Sequence, residues 1–393
     1  MGFRKQLILI TMSILFHLSA TTANGQDLTF PKADSVSAAY FMAGNWQQVI
    51  SFGNEALGSH IDFPHLRMRM GYAFFSTGNY SGALGQYQKV LANDAGNDTA
   101  RYYAYVCNKY LNRDAEAYYH AARLDSLTLK SEKLSPFGLV QAGLETGIKN
   151  PDNSYRGNAF YSRISLSNRL GYHLVLDQSL AYFNQPITIR ETQRQQINTS
   201  DAQQEYYGKL TWSVFNKLQI IGAYHYFNTS YQQTTYKNNA GLTAIKYLGS
   251  YFDIQADVAF SNINGNNFMQ YDSKLTIYPL GNLNLYTISG FTVADATHIN
   301  YVFSQLLGFK AAKNLWIEGF ATFGKLDNYF EYDALYIYNA IDVTTFKAGA
   351  TLYYQAGKHA LLYLNYTDEK KTDAIENINY NQNSITAGIT WKF

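Results

Sequence analysis

One cysteine, Cys107, in 393 residues leaves no partner for an intramolecular disulfide and no multi-cysteine metal site. Only six prolines stand beside 28 glycines, which excludes collagen-like and proline-rich architectures. Charge is scarce as well: 15% of residues are Asp, Glu, Lys or Arg, against about 25% in ordinary globular chains. The 31 basic and 29 acidic residues leave a net charge of +2 with no long block of one sign, so nucleic acid is excluded as a partner. Beyond the N-terminus there is no apolar run of the roughly 20 residues that a membrane-spanning helix needs. What the chain has instead is aromatics, 35 Tyr, 24 Phe and 4 Trp, which outnumber its charges. Such a surface calls for an apolar or interfacial solvent. With spanning helices excluded, a transmembrane β-barrel is the reading that remains.

The N-terminus carries Arg4 and Lys5, an apolar run from Leu7 to Leu18, and the small residues Ser19 to Ala23. This is the pattern of a secretory signal peptide, read here as residues 1–25 with Gln26 first in the mature chain. No cysteine sits at the cleavage site, so lipid attachment there is excluded. Residues 26–134 are then read as a helical region and 135–393 as a barrel, a multi-domain α plus β protein.

The helical region repeats. Gly44-Asn45-Trp46 recurs as Gly78-Asn79-Tyr80, 34 residues later. Small and large residues alternate around the second unit at Gly71, Phe74, Gly78, Tyr80, Ala83, Tyr87, Val90 and Leu91. A third unit places Tyr105, Ala117 and Ala121 one period after Gly71, Ala83 and Tyr87, with Asn112 in place of the turn glycine; the first unit departs with Val49 and Gly53. In spacing and residue type the stretch resembles tetratricopeptide repeats. That resemblance implies a short stack of about three units whose groove docks a protein in the periplasm or inner membrane. The alternative is a spacer that merely abuts the barrel.

Beyond Pro136 the period becomes two. Ile385, Ala387, Ile389, Trp391 and Phe393 face one way, and Ser384, Thr386, Gly388, Thr390 and Lys392 the other. Phe252, Ile254, Ala256, Val258 and Phe260 alternate with Asp253, Gln255, Asp257 and Ala259, and Tyr206, Leu210, Trp212 and Val214 alternate with Tyr207, Lys209, Thr211 and Ser213. Short turns, such as Asn216-Lys217 and Gln355 to Lys358, alternate with longer polar links: 150–158, 184–203, 228–237, 261–267, 294–298, 324–342 and 368–379. This gives about 14 antiparallel strands, with 12 or 16 as alternatives because Tyr329 to Tyr338 reads as a further hairpin. One face meets outer-membrane lipid and the other water. The ending Trp391-Lys392-Phe393 resembles the recognition signal of the barrel-assembly machinery of Gram-negative bacteria, and that machinery is the partner it implies.

The inward face offers Glu145, Arg163, Arg169, His173, Asp177, Lys209, His225, Asp253, Asp257, Asp272, Lys274, Glu318 and Lys347. Asp253, Asp257, Asp272 and Lys274 form the closest grouping, either an acidic strip lining a pore or a set of cross-strand hydrogen bonds. Tyr207, Tyr247, Tyr251, Tyr353 and Tyr363 read as inward aromatics over which sugar rings could slide. No catalytic nucleophile accompanies His173 and Asp177, and His17, His60, His65, His120, His298 and His359 stand apart. No enzyme, metal or cofactor is therefore expected.

The order of signal peptide, tetratricopeptide-like repeats and barrel ending in an aromatic resembles the outer-membrane export porins for cellulose and poly-N-acetylglucosamine. The resemblance implies an export or transport porin, polysaccharide its cargo, with the repeats periplasmic. A surface-binding or assembly scaffold with a plugged barrel is the alternative, and a barrel-embedded lipid hydrolase a further one. Replacing Phe393 with Asp puts a charge at the end of an outward face and removes the terminal aromatic. Outer-membrane levels of Phe393→Asp, read by fractionation and immunoblot, should fall well below wild type.

Overall fold

A computed structural model describes residues 28–393 apart from 193–194 and 296–298. The signal-peptide reading, His17 and His298 lie outside these described residues. The chain divides into two compact units between Ala73 and Phe74, a boundary that falls inside the helical region.

The first unit holds α1 (Phe30–Met42), α2 (Trp46–Gly58) and most of α3 (Pro64–Ser76). Pro31 stands in the first turn of α1, where its missing N–H costs nothing. Ala33, Val49, Ala56, Leu66 and Met70 are fully buried, and Phe41, Trp46 and Tyr72 meet edge-on at 5.4–5.6 Å. Gly53 is small because Met70 fills the space beside it: a Cβ there would lie 2.5 Å from the Met70 sulfur.

The second unit continues with α4 (Tyr80–Asn93), α5 (Asp98–Tyr110), α6 (Asp114–Ala121) and α7 (Ser126–Ser131). Asn79, Asn97 and Asp125 cap α4, α5 and α7 by accepting from main-chain N–H groups at 2.8–3.0 Å, satisfying donors the helices leave open. Tyr80 stacks on Tyr110 and Tyr87 on Tyr103, while Ala83 and Tyr87 are fully buried. The helices keep the 34-residue period: α1, α3 and α5 start at 30, 64 and 98, and α2, α4 and α6 at 46, 80 and 114. Gly44, Gly78 and Asn112 hold φ of +69°, +78° and +55° at the equivalent turns. Asparagine tolerates the left-handed region better than most L-residues, so Asn112 performs the turn glycine's task.

The barrel strands are β1 (Phe137–Pro151), β2 (Ala159–Leu170), β3 (Leu174–Thr192), β4 (Gln195–Phe215), β5 (Leu218–Tyr231), β6 (Thr234–Leu248) and β7 (Phe252–Ile263). They continue as β8 (Asn266–Ile277), β9 (Leu285–Asp295), β10 (Ile299–Ala312), β11 (Leu315–Leu326), β14 (Val343–Ala356), β15 (Ala360–Thr372) and β16 (Asn379–Lys392); β12 (Tyr329–Glu331) and β13 (Tyr336–Tyr338) form a separate two-stranded sheet. The fourteen strands close antiparallel, β16 pairing with β1. Closure leaves no unpaired edge, the condition for a sheet to survive in hydrocarbon. Trp391 and Ile389 face outward and Ser384 inward, and Ile254, Val258 and Phe260 are exposed where Asp253, Gln255 and Asp257 are buried, as the alternation requires.

The connections differ from the sequence reading in length. Residues 184–203 are mostly strand: β3 and β4 run on to Thr192 and from Gln195, paired to each other as far as Thr192 and Gln195. Residues 228–237 and 261–267 are likewise tight hairpins turning at Gln232-Gln233 and Asn264-Gly265. Polar side chains do not end a strand whose main-chain groups are paired by a neighbour; polarity there marks where the ribbon leaves the apolar belt. Residues 324–342 do contain the further hairpin, β12 and β13, but it lies outside the barrel ladder. Tyr247, read as inward, is 44% exposed beside exposed Ile245, so the register turns it to the outer face.

A barrel with every strand paired resists detergent unfolding. The protein should run faster on a gel without boiling than after it, and recovery from the periplasm without detergent would contradict the assignment.

Candidate functional site

The segment after β11 turns into the lumen. Gly324, still within β11, takes φ +126° where the pairing with β14 shifts between Phe323 and Leu326; a side chain there would meet the Tyr301 carbonyl oxygen. Phe330 and Ala334 of the inward hairpin pack with Tyr207, Ile221, Phe227, Leu242 and Ile263, and with Ala223, Ala240, Ala244 and Ala259. Four alanines on the inner wall leave the room that the hairpin fills. An inner surface that is apolar on one flank is the sequence signal for such an insert: Ala240-Gly241-Leu242-Thr243-Ala244 has no polar inward position.

At the tip, Tyr332, Asp333 and Ala334 hold φ of +52°, +59° and +65°. Three successive left-handed non-glycine residues cost of order 1 kcal/mol each, offset by the contacts they aim. Asp333 accepts from Gln255 Nε2 at 2.8 Å and Lys274 Nζ at 3.1 Å, with Lys209 Nζ at 3.6 Å. Tyr207 donates to the Asp333 carbonyl at 3.0 Å, His225 Nδ1 to that of Ala334 at 2.7 Å, and Arg163 to that of Leu335 at 3.0 Å. Gln270 takes both main-chain groups of Phe330, each at 2.9 Å. Lys347 donates to Glu331 and Tyr338. Asp342, where the segment rejoins the wall, receives a two-pronged contact from Arg156 at 2.6 and 2.8 Å.

Arg163, Lys209, Tyr207 and Lys274 are thus brought together by the hairpin rather than by each other. Asp257 and Asp272 are cross-strand partners, accepting from Gln255 and Gln270. Asp253 lines the same cavity as Asp257, Asp272 and Lys274; it is 2% exposed and meets Arg113 at 2.7 Å and the Tyr278 hydroxyl at 3.1 Å. Tyr363 lines a cavity, as does Tyr353; Tyr251 sits in a turn, its hydroxyl accepting from Asn79. His173 packs against Tyr119, and Asp177 pairs with Lys209. Among the described residues no group of three or more His, Cys, Asp or Glu could hold a metal ion. Sequence reasoning missed Asp333, Glu331, Arg113 and Glu205.

Two cavities remain beside the hairpin, of about 810 and 530 Å³. Both have Glu318, Phe320, Glu331, Tyr332 and Tyr353 in their walls, which makes these residues the neck between them. The larger also has Tyr110 to Arg113 in its wall, because the helices of the second unit lie against the barrel end that carries the strand termini. Ser81 N–H donates to the Gly281 carbonyl at 2.8 Å, Asn282 to that of Gly78 at 2.7 Å, and Arg113 to that of Gly249 at 2.9 Å.

An even-stranded, closed antiparallel barrel with an apolar exterior and a polar interior has the fold of an outer-membrane β-barrel. No protein-family model and no curated protein matches the sequence. Solved structures similar to it include Acinetobacter baumannii Omp33, 10% identical over 65% of this chain and 99% of that one, TM-score 0.40. A bacterial polysaccharide outer-membrane secretin is 8% identical over 65% and 98% of the two chains, TM-score 0.39. A Pseudomonas aeruginosa FadL homologue is 8% identical over 70% and 94%, TM-score 0.42. The likeness is one of barrel architecture alone.

Glu116 of α6 is buried and accepts from the Lys217 main-chain N–H at 3.0 Å. Burial raises its pKa from 4.5 to about 7, against the opposing pull of that N–H and of Arg113; burial also lowers His120 on the same helix to about 3, leaving it neutral. Docking therefore tightens the proton on Glu116 and loosens that on His120, and the two dependences oppose one another: the first weakens docking as pH rises through about 7, the second weakens it as pH falls below about 6.5 toward about 3. Hydrogen-exchange protection of Asp114–Ala121, corrected for intrinsic rates, should change little between about pH 4 and about pH 7 in the wild type, whereas Glu116→Gln, which leaves His120 unopposed, should make it rise with pH over that range.

Proposed function

We propose that the protein is an outer-membrane transport barrel, polysaccharide its cargo, with its helical repeats in the periplasm. The observation that carries this reading is the pair of cavities left beside the hairpin: the lumen is narrowed, not filled, and its neck is lined by tyrosines and carboxylates. Sugar rings meet such a wall well, their faces on aromatic rings and their hydroxyls on acceptors. In this reading the 34-residue helical period is a short tetratricopeptide-type stack that docks a periplasmic or inner-membrane protein. Trp391 and Phe393 at the end of the closing strand serve barrel assembly.

The same hairpin also supports the second reading, a plugged scaffold. Its Asp333 is held by two lysines and a glutamine, and helices cover one end of the barrel. Planar bilayers separate the two. Wild-type protein should conduct weakly, and deletion of residues 328–339 should raise conductance several-fold as the constriction is removed. A barrel closed to ions with and without the hairpin would overturn the transport reading in favour of the scaffold.

A further inference from the structure

The neck and the cavity walls next to it carry a device that goes beyond narrowing. Glu145 accepts hydroxyls from Tyr161 at 2.7 Å, Tyr336 at 2.9 Å and Tyr363 at 2.5 Å. Glu318 accepts from Tyr286 and, at 3.1 Å, from Tyr353. Two carboxylates thus fix five tyrosines, one of them on the inserted hairpin and the rest on β2, β9, β14 and β15. Tyr353 and Tyr363 stand as neighbours, ring centres 5.9 Å apart, and Tyr332 meets Tyr336 at 5.9 Å.

Each carboxylate is half-buried and shares the cavity wall with its tyrosines, so a solute meets ring face, phenol and carboxylate together. The charge therefore counts. The smaller cavity is lined by six carboxylates, Glu145, Asp201, Glu205, Glu318, Glu331 and Glu369, against three lysines, with Arg163 behind the wall at 3.9 Å from Glu145 and 3.5 Å from Glu205, which still leaves carboxylates in excess. Lys347 is engaged by Glu331 at 2.7 Å, Lys371 donates to Thr344 at 2.9 Å, and Lys149 lies 4.0 Å from Glu369. A second anion would enter a wall already in excess of negative charge and screened poorly by solvent. A neutral ring has no such penalty.

We propose that this tyrosine-sheathed neck is the recognition site for the cargo, and that it takes neutral, hydroxyl-rich sugar chains and excludes polyuronates. The proposal rests on the transport reading for the site's purpose and narrows its substrate class. The aromatic faces supply affinity, the hydroxyls and carboxylates orient the ring, and the carboxylate excess rejects acidic sugars.

Full-length protein in detergent, titrated calorimetrically with cellohexaose, hexagalacturonate and spermidine, tests this directly. Cellohexaose should bind at least about tenfold more tightly than hexagalacturonate. Tyr353→Ala should weaken cellohexaose by about tenfold or more, while Tyr353→Phe, which keeps the ring, should lose far less. Glu145→Gln with Glu318→Gln should narrow the gap between the neutral and acidic oligomers. The gel shift on boiling confirms that each variant is a folded barrel. Equal binding of hexagalacturonate, spermidine binding without cellohexaose binding, no cellohexaose binding, or full affinity in Tyr353→Ala would each overturn the proposal. Sugar binding in a barrel that never conducts would leave the recognition site standing and remove the transport reading; conductance without sugar binding would do the reverse.

Discussion

Asp333 holds the interior together. Its carboxylate draws Lys209 from one strand and Lys274 and Gln255 from two others onto the tip of one hairpin. Everything else in the lumen follows from that fastening. The alanines of β5 to β7 are small because the hairpin lies on them, and the left-handed tip is tolerated because it aims Asp333. The cavities lie where they do because the hairpin is held to one flank. Removing one partner of a buried, hydrogen-bonded ionic cluster leaves the others uncompensated, which makes the cluster a specification of position as much as a source of stability.

The outer face of the barrel was legible in the sequence because strand period and solvent act on the same residues. Ile385, Ile389 and Trp391 alternate with Ser384 and Thr386 for one physical reason, lipid against water. The helical period was legible too, since Gly44, Gly78 and Asn112 meet the same backbone demand at 34-residue intervals. The inward fold of 324–342 was not, because a polar link with two aromatic runs is compatible with either side of a wall. Only the apolar inner flank around Ala240 and Leu242 betrays the insert, and that signal reads first as a faulty alternation. Tyr247 was misplaced for a related reason: near a turn, one residue of register decides which face a side chain takes.

The helices of the second unit are bound to the barrel through its turns, at Gly249 and Gly281, and through strand residues near that end, Asp253 of β7 and Val175 of β3. Arg113 and Asp253 are both almost wholly buried, 3% and 2% exposed at the side chain, so each depends on the other for its charge. The acidic residue read as part of a pore lining borders the larger cavity and is at the same time a structural bolt between α-helical and β-sheet parts. Candidate sites picked by face alone cannot separate these roles. A partner on another element decides them, and that element is distant in sequence.

The ribbon formed by β3 and β4 has a consequence of its own. Their strands of 19 and 21 residues extend roughly 60 Å at about 3.3 Å per residue, far more than an apolar belt of about 25 Å requires. Beyond Asn184 and Ala202 the two strands pair with each other, their outer neighbours having turned back. Tyr155 to Gly157 cover β3 as far as Thr188; past that point β3, and past Ala202 β4, present an open edge, the kind of surface onto which foreign strands add. Arg190, Gln196, Asn198 and Thr199 on that stretch give the edge polarity, with the cross-strand pair Ile189 and Ile197 its only apolar residues among those described. The composition that disguises the ribbon as a loop is thus what lets it stand in water without recruiting another chain.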